Sequence, residues 1–297
     1  MARPQVECVV RAEALLGECP LWSDLEERLY WVDIDGRAIH RFDWATNVDE
    51  RRSVPGRPGS IALTERPGRL LVAIEHGLAF YDWESGAYRS WIDLEPEATD
   101  NRLNDGRCDR AGRFWVGSMF VPTSANRSTG MLHRVEPDGG VVTMQSGIGI
   151  ANGLAFSPDS STMYFADTPR ETVWAYDYDL ASGEAANERV FLDFGDLPGR
   201  PDGACVDEDG CYWVACVYGW AVLRVTPTGR IDRRIELPVE KPTMPAFGGP
   251  GMTTLFVTSI GAGGSRPLAP GQRDPGGLFA VETGVRGLVE SRFRAAA

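Results

Sequence analysis

A short apolar segment recurs six times along the chain at nearly constant spacing. The six copies, here called marker strands, begin at Leu29, Leu70, Phe114, Met163, Tyr212 and Leu255. Their starts are 41, 44, 49, 49 and 43 residues apart. Units of roughly 40 to 50 residues that each contain several short strands are typical of the blades of a β-propeller. The spacing therefore predicts an all-β, six-bladed β-propeller.

Each unit repeats the same order of elements: a strand, a polar turn, the marker strand, a second turn and a third strand. In the fourth unit these strands are expected at residues 152–157, 163–167 and 172–178, with Pro-Asp and Ser-Gly turns between and after them. Short strands with such punctuation favour β-structure, and no stretch has a long helical period. We expect one domain over residues 1–297.

A propeller must close its ring, and the simplest closure gives the last blade a strand from the other end of the chain. The apolar segment 6–11 precedes the first unit and has no other evident role. We expect it to pair with the C-terminal segments around residues 277–281 and 288–293, which would remove two exposed sheet edges.

Composition narrows the class of protein and its partners. The chain has 297 residues with 34 Gly and 20 Pro, and its net charge of −12 disfavours nucleic acid and anionic membranes as partners. Because residues 1–10 lack the features of a signal peptide and no run of about 18 apolar residues occurs, we expect a soluble cytoplasmic protein. The six cysteines show no paired metal-binding spacing and are expected to be buried thiols. The basic residues are almost all Arg, with Lys241 the only lysine, and this imbalance is interpreted as a consequence of genomic base composition.

Four polar residues occupy nearly the same position in four of the units. Glu18, Asn104, Asn152 and Asp202 lie 11, 10, 11 and 10 residues before the marker strand of their unit. The first strand of each blade lines the central channel, so these side chains are expected to converge near the axis. Carboxylate and amide oxygens suit a hard divalent cation such as calcium, magnesium or manganese. The alternative is that Asn and Asp open these strands only because they form turns.

Five segments carry a resemblance to a known family. They are GECPLW at 17–22, RLNDG at 102–106, NGLAFS at 152–157, PDG at 201–203 and AFGGP at 246–250. In this order, over essentially the whole chain, they resemble the SMP-30/gluconolactonase family of regucalcin-like proteins and sugar lactonases. The resemblance implies a six-bladed β-propeller with one divalent metal in the channel, and hydrolysis of sugar-acid lactones.

The resemblance also implies roles for individual residues. By motif position the metal ligands are Glu18, Asn152 and Asp202, the substrate-binding residues are Arg102 and Asn104, and the general base is Asp202. Calcium is the expected ion, with zinc, manganese, magnesium and ferrous iron as alternatives. The sequence departs from regucalcin-like members at residues 120–122, where Phe-Val-Pro replaces acidic residues. This leaves the sugar open, and the loop 123–130 is expected to cover the channel mouth.

Other functions are weighed against a lactonase. A serine hydrolase is disfavoured because no Gly-x-Ser-x-Gly motif occurs and His40, His76 and His133 lie away from the channel positions. A promiscuous metal-dependent esterase or organophosphate hydrolase could use the same site, and a non-catalytic propeller could bind calcium or another ligand there. The expected partner is a small sugar lactone, and the protein is expected to be a monomer or a weak homo-oligomer.

Overall fold

The computed structural model describes residues 5–264 and 266–295. Within these residues twenty-four strands form six four-stranded antiparallel sheets, so the predicted six-bladed β-propeller is confirmed. In the first five blades the four strands follow one another from the channel outward. The inner strands of neighbouring blades contact one another around the channel.

The strands of the first three blades have the following bounds. Blade 1 contains β2 (Gly17–Ser23), β3 (Arg28–Asp33), β4 (Ala38–Asp43) and β5 (Val48–Ser53). Blade 2 contains β6 (Pro58–Leu63), β7 (Arg69–Ile74), β8 (Gly77–Asp82) and β9 (Tyr88–Asp93). Blade 3 contains β10 (Asn101–Cys108), β11 (Phe114–Phe120), β12 (Gly130–Val135) and β13 (Val141–Ile148).

The remaining blades repeat this order, except that the last uses both ends of the chain. Blade 4 contains β14 (Ala151–Phe156), β15 (Thr162–Asp167), β16 (Thr172–Asp179) and β17 (Glu184–Asp193). Blade 5 contains β18 (Arg200–Val206), β19 (Tyr212–Val217), β20 (Ala221–Val225) and β21 (Ile231–Glu236). Blade 6 contains β22 (Pro242–Gly248), β23 (Thr254–Ser259), β24 (Leu278–Glu282) and β1 (Val6–Val10). Short 3₁₀ turns occur at Thr123–Ala125, Thr168–Arg170 and Pro250–Met252.

The six marker strands are the second strands of their blades and are almost wholly buried. The fourth strands differ, because most of their residues are exposed or half-buried, as in β5 and β17. The sequence pattern therefore reveals three strands in a unit and misses the outermost one, whose polar residues give little apolar signal.

Buried aromatic residues fill the space between adjacent blades. Trp31, Trp83, Trp115 and Trp213 are each almost fully buried. The indole nitrogens of Trp115 and Trp213 donate hydrogen bonds to carboxylates on their own blades, namely Asp109 at 3.2 Å and Asp207 at 2.8 Å. Burial of a Trp is favourable when its N–H finds such an acceptor, so these contacts stabilise the packing between blades.

The N-terminal strand closes the ring as expected. β1 pairs with β24, with Val6 opposite Val281 and Val10 opposite Leu278. The expectation that residues 288–293 also pair with this N-terminal segment is wrong. β1 is the edge strand of blade 6, and the chain beyond β24 leaves the sheet and bridges to other blades.

The C-terminal tail, residues 285–295, instead crosses the end of the propeller opposite the site described below. It forms single bridges from Gly287 to Asp207 and from Phe293 to Thr64. Phe293 is fully buried, with its ring centroid 5.4 Å from that of Trp91. The tail therefore joins blades that are distant in sequence.

Two further expectations concern the thiols and the membrane. All six cysteines are free, and only Cys8 is not fully buried, which confirms the expectation of buried thiols. Across residues 5–264 and 266–295 there is no helix with the length and apolar character needed to span a membrane.

Candidate functional site

One cavity of about 350 Å³ opens at an end of the channel and brings the predicted site residues together. Glu18, Arg102, Asn104, Asn152 and Asp202 all line it. They come from the inner strands of four blades, β2, β10, β14 and β18. The convergence expected from the repeat is therefore present, while the roles of these residues remain a prediction.

The inner strands are irregular where they carry these residues. The pairing of β2 with β3 shifts register after Glu18, and that of β14 with β15 shifts after Asn152. The next residue in each strand has a positive φ, 48° at Cys19 and 66° at Gly153. Such bulges redirect a side chain out of the alternating pattern of a strand. In β2 and β14 they allow a residue of the inner strand to face the channel.

Two aspartates at the ends of marker strands hold the segments that lead into β2 and β14. Asp33 accepts hydrogen bonds from the backbone N–H groups of Leu15 and Leu16 at 3.1 and 3.0 Å. Asp167 accepts equivalent bonds from Gly149 and Ile150, both at 3.0 Å. The same contact therefore recurs in blades 1 and 4, just before Glu18 and Asn152.

The two carboxylates of the site are both buried, and their charges interact. Glu18 and Asp202 are 8% and 7% exposed. Burial raises the pKa of Glu18 well above its usual range, and the charges of Asp202 and Asp105 raise it further. Burial and the charge of Asp105 likewise raise the pKa of Asp202. Concentrated buried negative charge of this kind is stabilised by a cation.

A chain of hydrogen bonds fixes the amides. Arg102 Nη1 donates to Asn104 Oδ1 at 2.6 Å, and Asn104 Nδ2 donates to Asn152 Oδ1 at 3.1 Å. Asn152 Nδ2 in turn donates to Thr168 Oγ1 at 2.8 Å, and the Thr168 hydroxyl donates to the carbonyl of Pro201 at 2.8 Å. The chain runs through blades 3, 4 and 5 and ends beside Asp202.

Sequence reasoning missed four residues of the site. Thr168 follows a marker strand, and Arg200, Tyr218 and Arg266 lie outside the positions that the repeat singles out, yet all four line the cavity. The Asp-Thr-Pro turn at 167–169 is the one available signal for Thr168. The expected loop at the mouth is present, since Thr123, Ser124 and Asn126 also line the cavity.

The histidines lie in the blades, as expected, and outside this cavity. His40 Nδ1 is 2.6 Å from Asp49 Oδ2, and His133 Nε2 is 2.9 Å from Glu95 Oε1. Both rings are buried. Neither imidazole ring lines the cavity.

The donor set fits a hard divalent cation. In the part of the chain that the structure describes, no three His, Cys, Asp or Glu side chains are grouped to hold a metal ion. The site has instead two carboxylates and an oriented amide oxygen, a mixture that calcium and magnesium accept and that zinc does not favour. Any ion held here would thus depend on Asn152 as well as on the carboxylates.

Comparison with known proteins identifies the family of the chain. Residues 16–261 match the sequence profile described as the SMP-30/Gluconolactonase/LRE-like region. The chain belongs to this family. A 6-deoxy-6-sulfogluconolactonase from Pseudomonas putida is 36% identical over 289 residues, which cover 97% of this chain and 98% of the relative. An L-arabinolactonase from Azospirillum brasilense is 36% identical over 286 residues, which cover 94% and 92% respectively.

A solved structure gives the same fold. Regucalcin from Agrobacterium tumefaciens, described as a calcium-binding protein, superposes with a TM-score of 0.90 at 28% identity. The alignment covers 99% of this chain and 100% of the regucalcin chain. The resemblance drawn from the five sequence segments is therefore confirmed.

Proposed function

We propose that this protein hydrolyses the lactones of sugar acids to open-chain acids, using a divalent cation held by Glu18, Asn152 and Asp202. The broader expectation, an enzyme of the lactonase class, is confirmed by family membership and by relatives named as lactonases. One relative is named for a sulfonated gluconolactone and another for arabinolactone. The family thus leaves the sugar open.

The observation that carries the proposal is the pairing of Glu18 with Asp202 in one cavity. Both carboxylates are buried, and no described side chain donates a hydrogen bond to either. Arg102, which lines the same cavity, donates instead to Asn104 and to the carbonyl of Leu103. Two buried anions without a hydrogen-bonded cation are costly, so a bound divalent cation is the natural partner.

Each residue of the site has a distinct role in the proposed reaction. A cation held by Glu18, Asn152 and Asp202 would supply Lewis-acid assistance at the lactone carbonyl. Asp202 accepts a proton from the attacking water as general base, since a carboxylate has an acceptor oxygen free for this task. Arg102 and Asn104 hold the substrate oxygens in place. Burial lowers the pKa of Arg102 to about 10, so its guanidinium stays charged at neutral pH and offers several N–H donors.

An assay of metal-stripped protein tests the proposal. The protein is treated with chelator and then supplied with calcium, magnesium, manganese, zinc or ferrous iron separately. Hydrolysis of aldonolactones is measured against the spontaneous rate, beside simple carboxyl esters and phosphotriesters. We expect metal-dependent turnover that is greatest on lactones.

The other outcomes identify the alternatives. Greater turnover of esters or phosphotriesters would favour the promiscuous hydrolase. Tight cation binding with no turnover of any substrate would favour the non-catalytic calcium-binding propeller and contradict the proposal.

A further inference from the structure

The cavity that holds the candidate site concentrates arginines, although the chain as a whole carries a net charge of −12. Its lining includes three arginines, Arg102, Arg200 and Arg266, and only two acidic residues, Glu18 and Asp202. A divalent cation at the candidate site would offset the charges of Glu18 and Asp202 and leave the arginines available to an anion. Apolar walls such as Met119 and Ile150 limit the screening of charges inside.

Arg266 is held in position without being neutralised. Its guanidinium carbon lies 4.4 Å from the centroid of the Tyr218 ring. It forms no ion pair with any residue in the described ranges 5–264 and 266–295. Stacking of this kind orders the guanidinium plane and leaves its N–H edges free to donate.

A buried lysine anchors the backbone that carries Arg266. Lys241 is 1% exposed, and its Nζ donates to the carbonyls of Arg266 at 2.5 Å and Pro267 at 3.1 Å. Its ammonium also lies 5.7 Å from the Tyr218 ring. Burial of a lysine without a carboxylate partner is costly. Here the ammonium fixes the loop at the cavity wall.

Tyr218 is itself in an unusual conformation. Its φ is +68°, a region that bulky side chains seldom occupy. Such strain persists only where the surroundings enforce it, and it often accompanies ligand sites. Here it places the ring at the cavity wall against Arg266.

Arg200 supplies a second guanidinium on the same lining. It begins β18, two residues before Asp202, and its Nε lies 3.0 Å from Glu171 Oε1. Both side chains are more than one third exposed, at 38% and 37%, so this pair is weak and open to exchange. An incoming anion could therefore compete with Glu171 for Arg200.

We propose that Arg266 and Arg200 form an anion subsite that binds an oxyanion carried by the substrate at the end remote from the lactone carbonyl. The substrate class is then an aldonolactone with a terminal sulfonate, phosphate or carboxylate. This inference rests on the proposed lactonase function for the reacting end of the molecule. Arginine suits the other end because its planar donors match sulfonate, phosphate and carboxylate oxygens.

The test compares matched lactones that differ only at that end. The metal-loaded protein is assayed with gluconolactone, its 6-phosphate and its 6-deoxy-6-sulfonate, and kcat/KM is measured for each. We expect a preference of at least about tenfold for a charged lactone over the neutral one, reduced by added salt. Arg266→Gln should reduce this preference by about tenfold or more, because charge-assisted hydrogen bonds are lost.

Two variants serve as controls. Arg273 lies on the same connection but lines a different surface, so Arg273→Gln makes the same charge change away from the cavity and should keep the preference. Glu171→Gln removes the competitor for Arg200 and should increase the preference, whereas Arg200→Gln should reduce it. Thermal unfolding of each variant verifies that it is folded.

The possible outcomes test the anion subsite and the lactonase reaction independently. If Arg266→Gln lowers kcat/KM equally for neutral and charged lactones, or the wild type does not distinguish them, the subsite is refuted and the lactonase function stands. If no lactone is turned over, calorimetry with gluconate and 6-phosphogluconate decides. Tighter binding of the phosphate that is lost in Arg266→Gln would support the subsite without the reaction, and equal binding would refute it.

Discussion

Asn104 Nδ2 donates a hydrogen bond of 3.1 Å to Asn152 Oδ1, joining the inner strands of blades 3 and 4 inside the cavity. Asn104 is itself anchored by a second bond, from Nδ2 to the carbonyl of Ala151 at 2.8 Å. Because Asn152 Nδ2 is engaged by Thr168, the Asn152 amide is held with its oxygen toward the cavity. The oxygen that we propose as a cation ligand is thus oriented by the protein itself.

Replacement of Thr168 tests this orientation. In Thr168→Val the acceptor for Asn152 Nδ2 is lost, and we expect cation affinity to fall by about 10- to 100-fold, as is usual when a group that orients a metal ligand is removed. Thr168→Ser keeps the hydroxyl and should retain most of the affinity. Titration against a fluorescent chelator measures both. Equal affinities in the two variants would show that the hydroxyl does not orient the ligand.

Arg102→Ala should separate substrate binding from cation binding. The Asn104 amide keeps its bonds to Ala151 and Asn152, so the orientation of Asn152 survives the change. We expect KM to rise by about tenfold or more, the size of a lost hydrogen bond to a charged group, with little change in cation affinity. Loss of cation binding in a folded variant would mean that Arg102 has a different role.

The site residues could be predicted from sequence because their position in the repeat is a property of the whole chain. Glu18 and Asp202 are far apart in sequence, yet the same offset from a marker strand places both on the channel. The marker strands could be predicted because their burial leaves continuous apolar patterns, and the inner strands follow from their position before them in the repeat.

The path of the C-terminal tail and the position of Arg266 depend on contacts that no local sequence pattern encodes. The expected pairing of residues 288–293 with the N-terminal strand is replaced by packing of Phe293 against Phe80 and Trp91. Arg266 reaches the cavity because a buried lysine holds its backbone carbonyl. Neither relationship has a fixed spacing in the sequence.

A buried carboxylate away from the site gives a pH-dependent contribution to stability. Burial alone would raise the pKa of Glu95, but hydrogen bonds from His133, Asn101 and Ser118 outweigh it and lower the pKa. A carboxyl whose pKa is lowered on folding stabilises above its unfolded pKa, near 4.3, and loses that contribution as pH falls through the folded value. Glu95→Gln should therefore destabilise at pH 7 by about 1.5–3 kcal/mol.

Denaturant unfolding of both proteins at pH 7 and at the lowest pH where both fold measures this effect. The difference between them should shrink toward acid pH. A difference that stays constant would indicate that the charge of Glu95 contributes nothing and that only packing was altered.

The ion pair between Arg107 and Glu290 links the channel to the C-terminal tail. The side chains are only 8% and 11% exposed, and Arg107 Nη2 also donates to the carbonyl of Ala204 at 2.8 Å. Glu290→Ala leaves a buried guanidinium without its counter-ion, and we expect a loss of about 3–5 kcal/mol in the free energy of unfolding. The double variant Arg107→Met, Glu290→Leu should recover much of this loss. If it is no more stable than the single variant, the unpaired charge is not the cause.

Asp202→Asn distinguishes the chemical role of this carboxylate from its structural one. Asparagine keeps an oxygen of similar reach but cannot accept a proton from water. Since general-base contributions are typically about 10²- to 10⁴-fold in rate, turnover should fall by about that factor.

The same variant should not lose stability in the absence of cation. Without cation, the buried charges of Glu18 and Asp202 repel each other, so removing one should leave the metal-free variant at least as stable as the metal-free wild type. With cation, the variant should bind more weakly because one negative charge is gone. Thermal unfolding in chelator and turnover at saturating metal measure the two effects. Near-wild-type turnover of the metal-saturated variant would exclude Asp202 as the general base. A marked fall in the stability of the metal-free variant would mean that the Asp202 carboxylate stabilises the fold and that its repulsion with Glu18 is not the dominant effect.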